Sequence, residues 1–222
     1  MIYKKEFQNG VRLVLERNKS FKSVSIGFWI NVGSRNEKSN ESGIAHFIEH
    51  LLFKGTRRRN FEKISNEINE IGGQVDAFTS QEIISVYARI IDEQLPQGLD
   101  LLTDIFFKSK FDPVEIEREK KVVVEEIHLY NDTPEELVFD IFIETLWKGS
   151  PIGNPVLGRI ETINSFKREQ IKRFLERECI PERIVITASG NFEIKKFEKL
   201  ISPIIKSISP NGVKAKNDHQ QP

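Results

Sequence analysis

The chain has 222 residues, of which 38% are hydrophobic and 30% charged, enough for one sizeable core but short for two full domains. With 33 Lys and Arg against 33 Asp and Glu, there is none of the basic excess that a phosphate-tracking surface needs, so nucleic acid is excluded as a partner. The single cysteine, Cys179, excludes internal disulfides and thiolate zinc sites.

In chain order, the first residues lack the apolar stretch of a signal peptide. No later segment approaches the roughly 18 uninterrupted apolar residues of a membrane span. The expectation is a cytoplasmic chain without membrane contact. Segments 2–7 and 11–16 flank Asn9-Gly10, and Val11, Leu13 and Leu15 alternate with polar residues, which predicts a hairpin. Residues 24–32 read as a buried strand. After a polar loop, Ile44, Phe47, Ile48, Leu51 and Leu52 fall at helical spacing over 43–53. A second helix spans 61–71, with Phe61, Ile64, Ile68 and Ile71 on one face and Gly72-Gly73 as its stop. Strands follow at 74–79 and 83–91, then helices at 94–108 and 113–130. The second of these helices starts with Asp112 as N-cap, Pro113 at the first helical position and Glu115 three residues after the cap. A helix at 134–147, a Gly/Pro loop at 149–158, a helix at 167–178, a strand at 183–189 and a helix at 193–207 complete the pattern.

This order predicts an α+β fold, a mostly antiparallel sheet with helices packed on it, in one domain over 1–208. Apolar residues thin out after Ser209, so 209–222 reads as a polar tail or linker.

His46 and His50 lie four apart on the helix at 43–53, with Glu49 between them. At about 100° per residue, positions 46, 49 and 50 share one face. Two neutral nitrogen ligands on a rigid helix, and a carboxylate able to take a proton from the attacking water, are what a zinc hydrolase needs. The order is HxxEH, the inverse of HExxH. Such a site requires a third protein ligand, and the helix at 113–130 offers candidates in IEREKKVVVEEIHLY. Glu119 and Glu126 are two turns apart on one face, so one can reach a metal while the other sits beside it. Glu125, about 100° round the helix, competes for the ligand role. Val122, Val123, Val124 and Ile127 make this helix too apolar for full exposure, whereas His128 reads as an exposed helix residue and His219 as part of the tail.

GIAHFIEHLLFKGT (43–56) together with IEREKKVVVEEI (116–127) resembles the M16 family of zinc peptidases, the group of pitrilysin, insulin-degrading enzyme and mitochondrial processing peptidase. The likeness extends through VGSR (32–35), IGGQVDAFTSQE (71–82) and LGRIETINSF (157–166), so it covers about residues 2–200. The family signature is HxxEH followed by a glutamate ligand roughly 70–80 residues on. Glu126 lies 76 positions after His50 (126 − 50) and matches. The resemblance implies one Zn2+ per chain held by His46, His50 and Glu126. It further implies Glu49 as general base and Glu119 as a second carboxylate supporting His50 or the metal. It makes residues 75–79 an edge strand to which a peptide substrate adds its backbone, with Asp76, Ala77, Phe78, Thr79 and Phe53 contacting substrate. Asp76 departs from the family, which usually has Asn there.

The implied activity is a zinc endopeptidase acting on unfolded peptides or small proteins. The competing reading is a non-catalytic M16-like subunit, a structural or peptide-binding partner, although such relatives typically lose motif residues and none is lost here. Active members are generally built from two related halves, and this chain resembles the zinc-bearing one. The implied partner is a second M16-type half, in a self-dimer or higher even oligomer, or in a heterodimer with an inactive subunit.

Overall fold

The computed structural model describes residues 2–208. The expected tail at 209–222 and His219 lie outside them. The hairpin forms as β1 (Ile2–Glu6) and β2 (Arg12–Arg17), with Gly10 of the turn at φ 90°, where a side chain would be strained. β3 (Ser23–Ile30), β4 (Gln74–Thr79), β5 (Ile84–Ile91) and β6 (Ile184–Gly190) complete one six-stranded sheet in the order β1-β2-β6-β3-β5-β4. Four of the five neighbouring pairs are antiparallel, and β2 runs parallel to β6. That parallel pair makes the sheet mixed while leaving it mostly antiparallel, as expected. It arises because β6 returns from the far end of the chain to slot between β2 and β3.

Period-two alternation decides which face of the sheet carries the core. Leu13 and Leu15 of β2, Val24, Ile26, Phe28 and Ile30 of β3, and Val86, Ala88 and Ile90 of β5 are all buried on one side, with Ile186 and Ala188 of β6 beside them. Phe28 pairs with Val86 on one flank and Ile186 on the other. The opposite face presents Ser25, Trp29, Tyr87, Arg89 and Thr187, exposed or half-buried.

Eight α-helices form among the described residues: α1 (Ile44–Leu52), α2 (Phe61–Glu70), α3 (Leu95–Lys108), α4 (Pro113–Asn131), α5 (Pro134–Leu146), α6 (Ile160–Ser165), α7 (Arg168–Glu178) and α8 (Ile194–Ser207). α1 packs against β4 and β5 on one side and α4 on the other, while α3 covers β3 and β5. Asp112 caps α4 as read, its side chain accepting from the Val114 amide at 2.9 Å, but Glu115 pairs with Arg118 at 2.6 Å rather than closing a capping box. α6 falls where no separate helix was expected. It has no side-chain N-cap, and it takes its place by packing on α4. Two apolar residues expected inside are outside: Phe61 and Val122 are each 49% exposed. α5 buries none of its residues.

Candidate metal centre

α1 is apolar over most of its circumference and sits in the core, with Phe47 and Ile48 almost fully buried. That burial fixes the rotation of the helix, and with it the aim of its polar residues. His46 is buried, and Glu49 and His50 are half-buried. Their open side faces α4, whose Ile116, Val123 and Ile127 anchor it against the core. The two helices thereby oppose His46 and His50 to Glu119 and Glu126, while Glu125 points outward and is exposed, as is His128.

The distances across this gap are short. His46 Nε2 and His50 Nε2 are 3.3 Å apart. Glu126 Oε2 lies 3.2 Å from His50 Nε2, and Glu126 Oε1 lies 3.8 Å from His46 Nε2. One ligand atom from each of the three residues falls within 4.8 Å of the other two. Ligands held about 2.0–2.2 Å from a tetrahedral zinc stand roughly 3.3–3.6 Å from each other; the two edges to His50 Nε2 lie close to that spacing, and the Glu126–His46 edge, made by the other carboxylate oxygen, is slightly longer. His46 Nδ1 is buried with no partner among the described residues. That nitrogen is not one of the converging atoms; what a cation would relieve is the meeting of the two Nε2 atoms with the Glu126 carboxylate.

Glu119 occupies a different place. Only 4% exposed, it brings Oε2 to 3.3 Å from His50 Nδ1 and takes the Lys54 ammonium on Oε1 at 2.7 Å. It thus holds the ring nitrogen of His50 that faces away from the three-residue cluster, which leaves Nε2 turned inward. Burial pushes the Glu119 carboxyl up, but His50 and Lys54 outweigh it and hold the group below the usual carboxylate range. Lys54 was not singled out from the sequence, although it is one helical turn beyond His50 and its reach to this face follows from that spacing.

The protonation of the two histidines diverges. Burial and the neighbouring His50 push His46 toward the neutral form. Burial would lower His50 too, but the Glu119 and Glu126 carboxylates overcome it and favour its protonated form. Glu126 is held low, first by its contact with His50. Glu49 is displaced in the other direction: burial raises its carboxyl, against the Thr79 hydroxyl and His50, and the Glu126 and Asp76 charges raise it further. Glu49 Oε2 and Thr79 Oγ1 are both buried without a hydrogen-bond partner among the described residues, so Thr79 acts on Glu49 as a nearby dipole.

β4 borders the site as the outermost strand, paired only with β5. Val75, Ala77 and Thr79 turn toward the helices and are half-buried, while Asp76 and Phe78 face out. The Asp76 carboxylate accepts from the Ala77 amide at 2.8 Å and the Tyr87 hydroxyl at 3.4 Å, and Phe78 rests edge-on against Trp29 at 5.9 Å. Phe53, just past the end of α1, is half-buried against the core.

The sequence reading also missed a charged clamp behind the site. Arg59, 9% exposed, donates to Glu67 at 2.8 Å, Asp100 at 2.6 Å and Asp104 at 2.9 Å, and Asp104 also accepts from the buried Thr56 hydroxyl at 2.6 Å. The clamp ties the segment that follows α1 to α3. No periodic pattern marks it, because its members come from three separate segments.

Residues 12–159 match the family described as Insulinase (Peptidase family M16), and the chain belongs to that family. It is 43% identical over 202 residues to an uncharacterized zinc protease, YmxG, of Bacillus subtilis (strain 168), covering 90% of this chain and 49% of that one. Its fold is that of a protease from Helicobacter pylori (TM-score 0.90, 24% identity, 97% of this chain and 52% of that one). It is equally that of a peptidase M16 inactive domain from Pseudomonas fluorescens (TM-score 0.88, 15% identity, 97% and 53%). The chain therefore spans about half the length of the relatives it matches. No helix among the described residues is long and apolar enough to cross a membrane.

Proposed function

We propose that this chain is the zinc-bearing half of an M16 endopeptidase that hydrolyses peptide bonds in unfolded peptides or small proteins. The observation that carries the reading is the convergence of His46 Nε2, His50 Nε2 and a Glu126 carboxylate oxygen at the spacing of zinc ligands. These three residues hold one zinc per chain, and Glu119 fixes the His50 ring from behind. Zinc, when bound, supplies a Lewis acid for the scissile carbonyl and lowers the pKa of water.

The chain's own residues supply the rest. Glu49, with its carboxyl raised and one oxygen unpartnered, accepts the proton of the attacking water and returns it to the leaving amine. A raised value brings a carboxylate closer to the pH at which it must both take and give a proton. The free edge of β4 aligns the substrate as an added strand, with backbone hydrogen bonds fixing register whatever the side chains. Ala77 and Thr79 then face the cleft beside Glu49. Asp76 and Phe78 contact substrate side chains that point the other way, and Phe53 is an apolar contact at the end of α1.

The second half enters through α5. Val138, Phe139, Ile141, Phe142 and Leu146 are each more than half exposed, and Leu129 near the end of α4 is 70% exposed. An apolar patch of that extent marks a surface that another folded unit covers, and a second M16-type half is the occupant that the relatives' length supports. The non-catalytic alternative is weaker, since His46, Glu49, His50, Glu119 and Glu126 are all present and all face one gap.

Sedimentation at micromolar concentration, run beside a peptidase assay on the same sample with and without chelator, tests the proposal. Chelator-sensitive, zinc-restored hydrolysis by an assembly of two M16-type halves is expected. Hydrolysis at ordinary rates by a strict monomer would overturn the two-half reading, and hydrolysis indifferent to chelator would overturn the zinc reading.

A further inference from the structure

α1 begins at a residue unable to cap it. Gly43, its N-cap, has φ 88°, and a Cβ there would fall 2.7 Å from the Leu157 carbonyl oxygen and 2.8 Å from Gly158 Cα. Positive φ and close backbone approach both demand glycine, and glycine offers no side-chain acceptor. Yet the first amides of α1 have no intrahelical partner, and this end of the helix is buried, so water is no substitute.

The acceptor comes from six residues upstream. Glu37, 7% exposed, accepts from the Gly43 amide on Oε2 at 2.7 Å and from the Ala45 amide on Oε1 at 2.9 Å. Burial pushes its carboxyl up, to about 8, against the two amides, which pull it down. The segment bearing Glu37 is itself held. Arg177 donates to both oxygens of Glu41 at 2.9 and 2.7 Å, the Lys38 amide donates to Glu41 at 3.1 Å, and the Thr162 hydroxyl donates to the Ser42 carbonyl at 2.6 Å. Glu37 is thus a fixed post against which the start of α1 is set.

His46 is the next residue after Ala45. We propose that Glu37 is a positioning residue for the metal centre: by holding the Gly43 and Ala45 amides it fixes the first turn of α1, and through that turn the aim of His46 Nε2 at His50 and Glu126. The inference rests on the reading of His46 as a zinc ligand. It assigns Glu37 no contact with metal or substrate.

The test is Glu37→Gln in the full chain. A glutamine offers one acceptor and turns its NH2 against the other amide, which neither protonation state of the carboxyl does. In metal-free protein, hydrogen exchange at Gly43 and Ala45 should quicken at least about tenfold while the buried end of α1, at Leu51, is unchanged. Zinc affinity, measured by chelator competition, should fall about tenfold to a hundredfold, the range for losing a partner behind a metal ligand. The visible spectrum of the cobalt-substituted protein should shift, because ligand geometry changes. A merely structural role would lower thermal stability and leave the cobalt spectrum and the affinity of the folded protein untouched, and that result overturns the inference. Glu37→Asp, one methylene short, should move the same readouts in the same direction and serves if Glu37→Gln does not fold. Wild-type protein that takes up no zinc would sink the reading of His46, His50 and Glu126, and the inference with it. Zinc uptake that is equal in wild type and variant sinks the inference alone.

Discussion

Neighbouring glutamates on one helix make the sharpest test of the site's geometry. Glu126 sits 3.2 Å from His50 Nε2 and 3.8 Å from His46 Nε2, whereas Glu125, one residue earlier, is exposed. Zinc sites with four protein ligands bind with about 10–16 kcal/mol, or roughly 2.5–4 kcal/mol per ligand. Removing one ligand should therefore weaken zinc by about two to three powers of ten. Glu126→Gln keeps the shape and loses the charge, so that loss is expected in full or nearly so. Glu125→Gln should bind zinc like the wild type. Because Glu126 is 40% exposed in its side chain, the substitution leaves no buried vacancy and costs only a half-exposed ion pair with His50, so the thermal midpoint of the metal-free protein should fall by no more than about 2–4 °C. The assay is competition with a chromophoric chelator on metal-stripped protein, with the midpoint as control. Wild-type affinity in Glu126→Gln, or a hundredfold loss in Glu125→Gln, would refute the reasoning.

Two further outcomes follow from the charges. Asp104→Asn should cost about 3 kcal/mol, the low end for breaking a buried pair, because Arg59 keeps Glu67 and Asp100. At about 2–4 °C per kcal/mol the thermal midpoint should drop by roughly 6–12 °C, and an unchanged midpoint would contradict the clamp. Burial raises both carboxyls, but Arg58 and Arg59 hold Asp100 below the usual carboxylate range, and the Thr56 hydroxyl with the same two arginines does so for Asp104. Their stabilisation is therefore present above the unfolded value near pH 4 and lost as pH falls through the lowered folded values, a slope that Asp104→Asn should flatten in acid denaturation. At the metal centre, carboxylate contacts keep His50 protonated while burial keeps His46 neutral. Zinc binding at pH 7 should then release about one proton, and affinity should rise with pH. Calorimetry in buffers of different ionisation enthalpy reads the number directly, and release of none or of two would contradict the assignment.

How far the sequence discloses this molecule depends on the range of the interaction. His46, Glu49 and His50 were legible because the helical period alone puts them on one face. Helical geometry alone left Glu125 and Glu126 in competition, and only the family resemblance pointed to Glu126; in the structure the choice turns on the rotation of α4, which is set by burying Ile116, Val123 and Ile127 against distant segments. Val122, which looked equally fit for the core, is on the exposed side of that rotation. The Glu37 cap escaped because capping patterns look for a side chain at the N-cap itself, and here the N-cap is a glycine served from a loop. The β2–β6 parallel pair escaped for the same reason of distance: Arg12 aligns with Val185, a partner that no local pattern specifies. The helix expected at 134–147 forms as α5, and its apolar residues lie exposed because nothing among the described residues packs over them.

The central claim is that this site hydrolyses peptides with Glu49 as the base and with the metal held independently of it. Glu49→Gln in the active assembly measures both at once, with zinc content by plasma mass spectrometry and hydrolysis of an unfolded peptide in the same preparation. The account predicts one zinc per chain in wild type and variant alike, with turnover in the variant reduced by about 10²–10⁴. Near wild-type turnover with the zinc retained would contradict it.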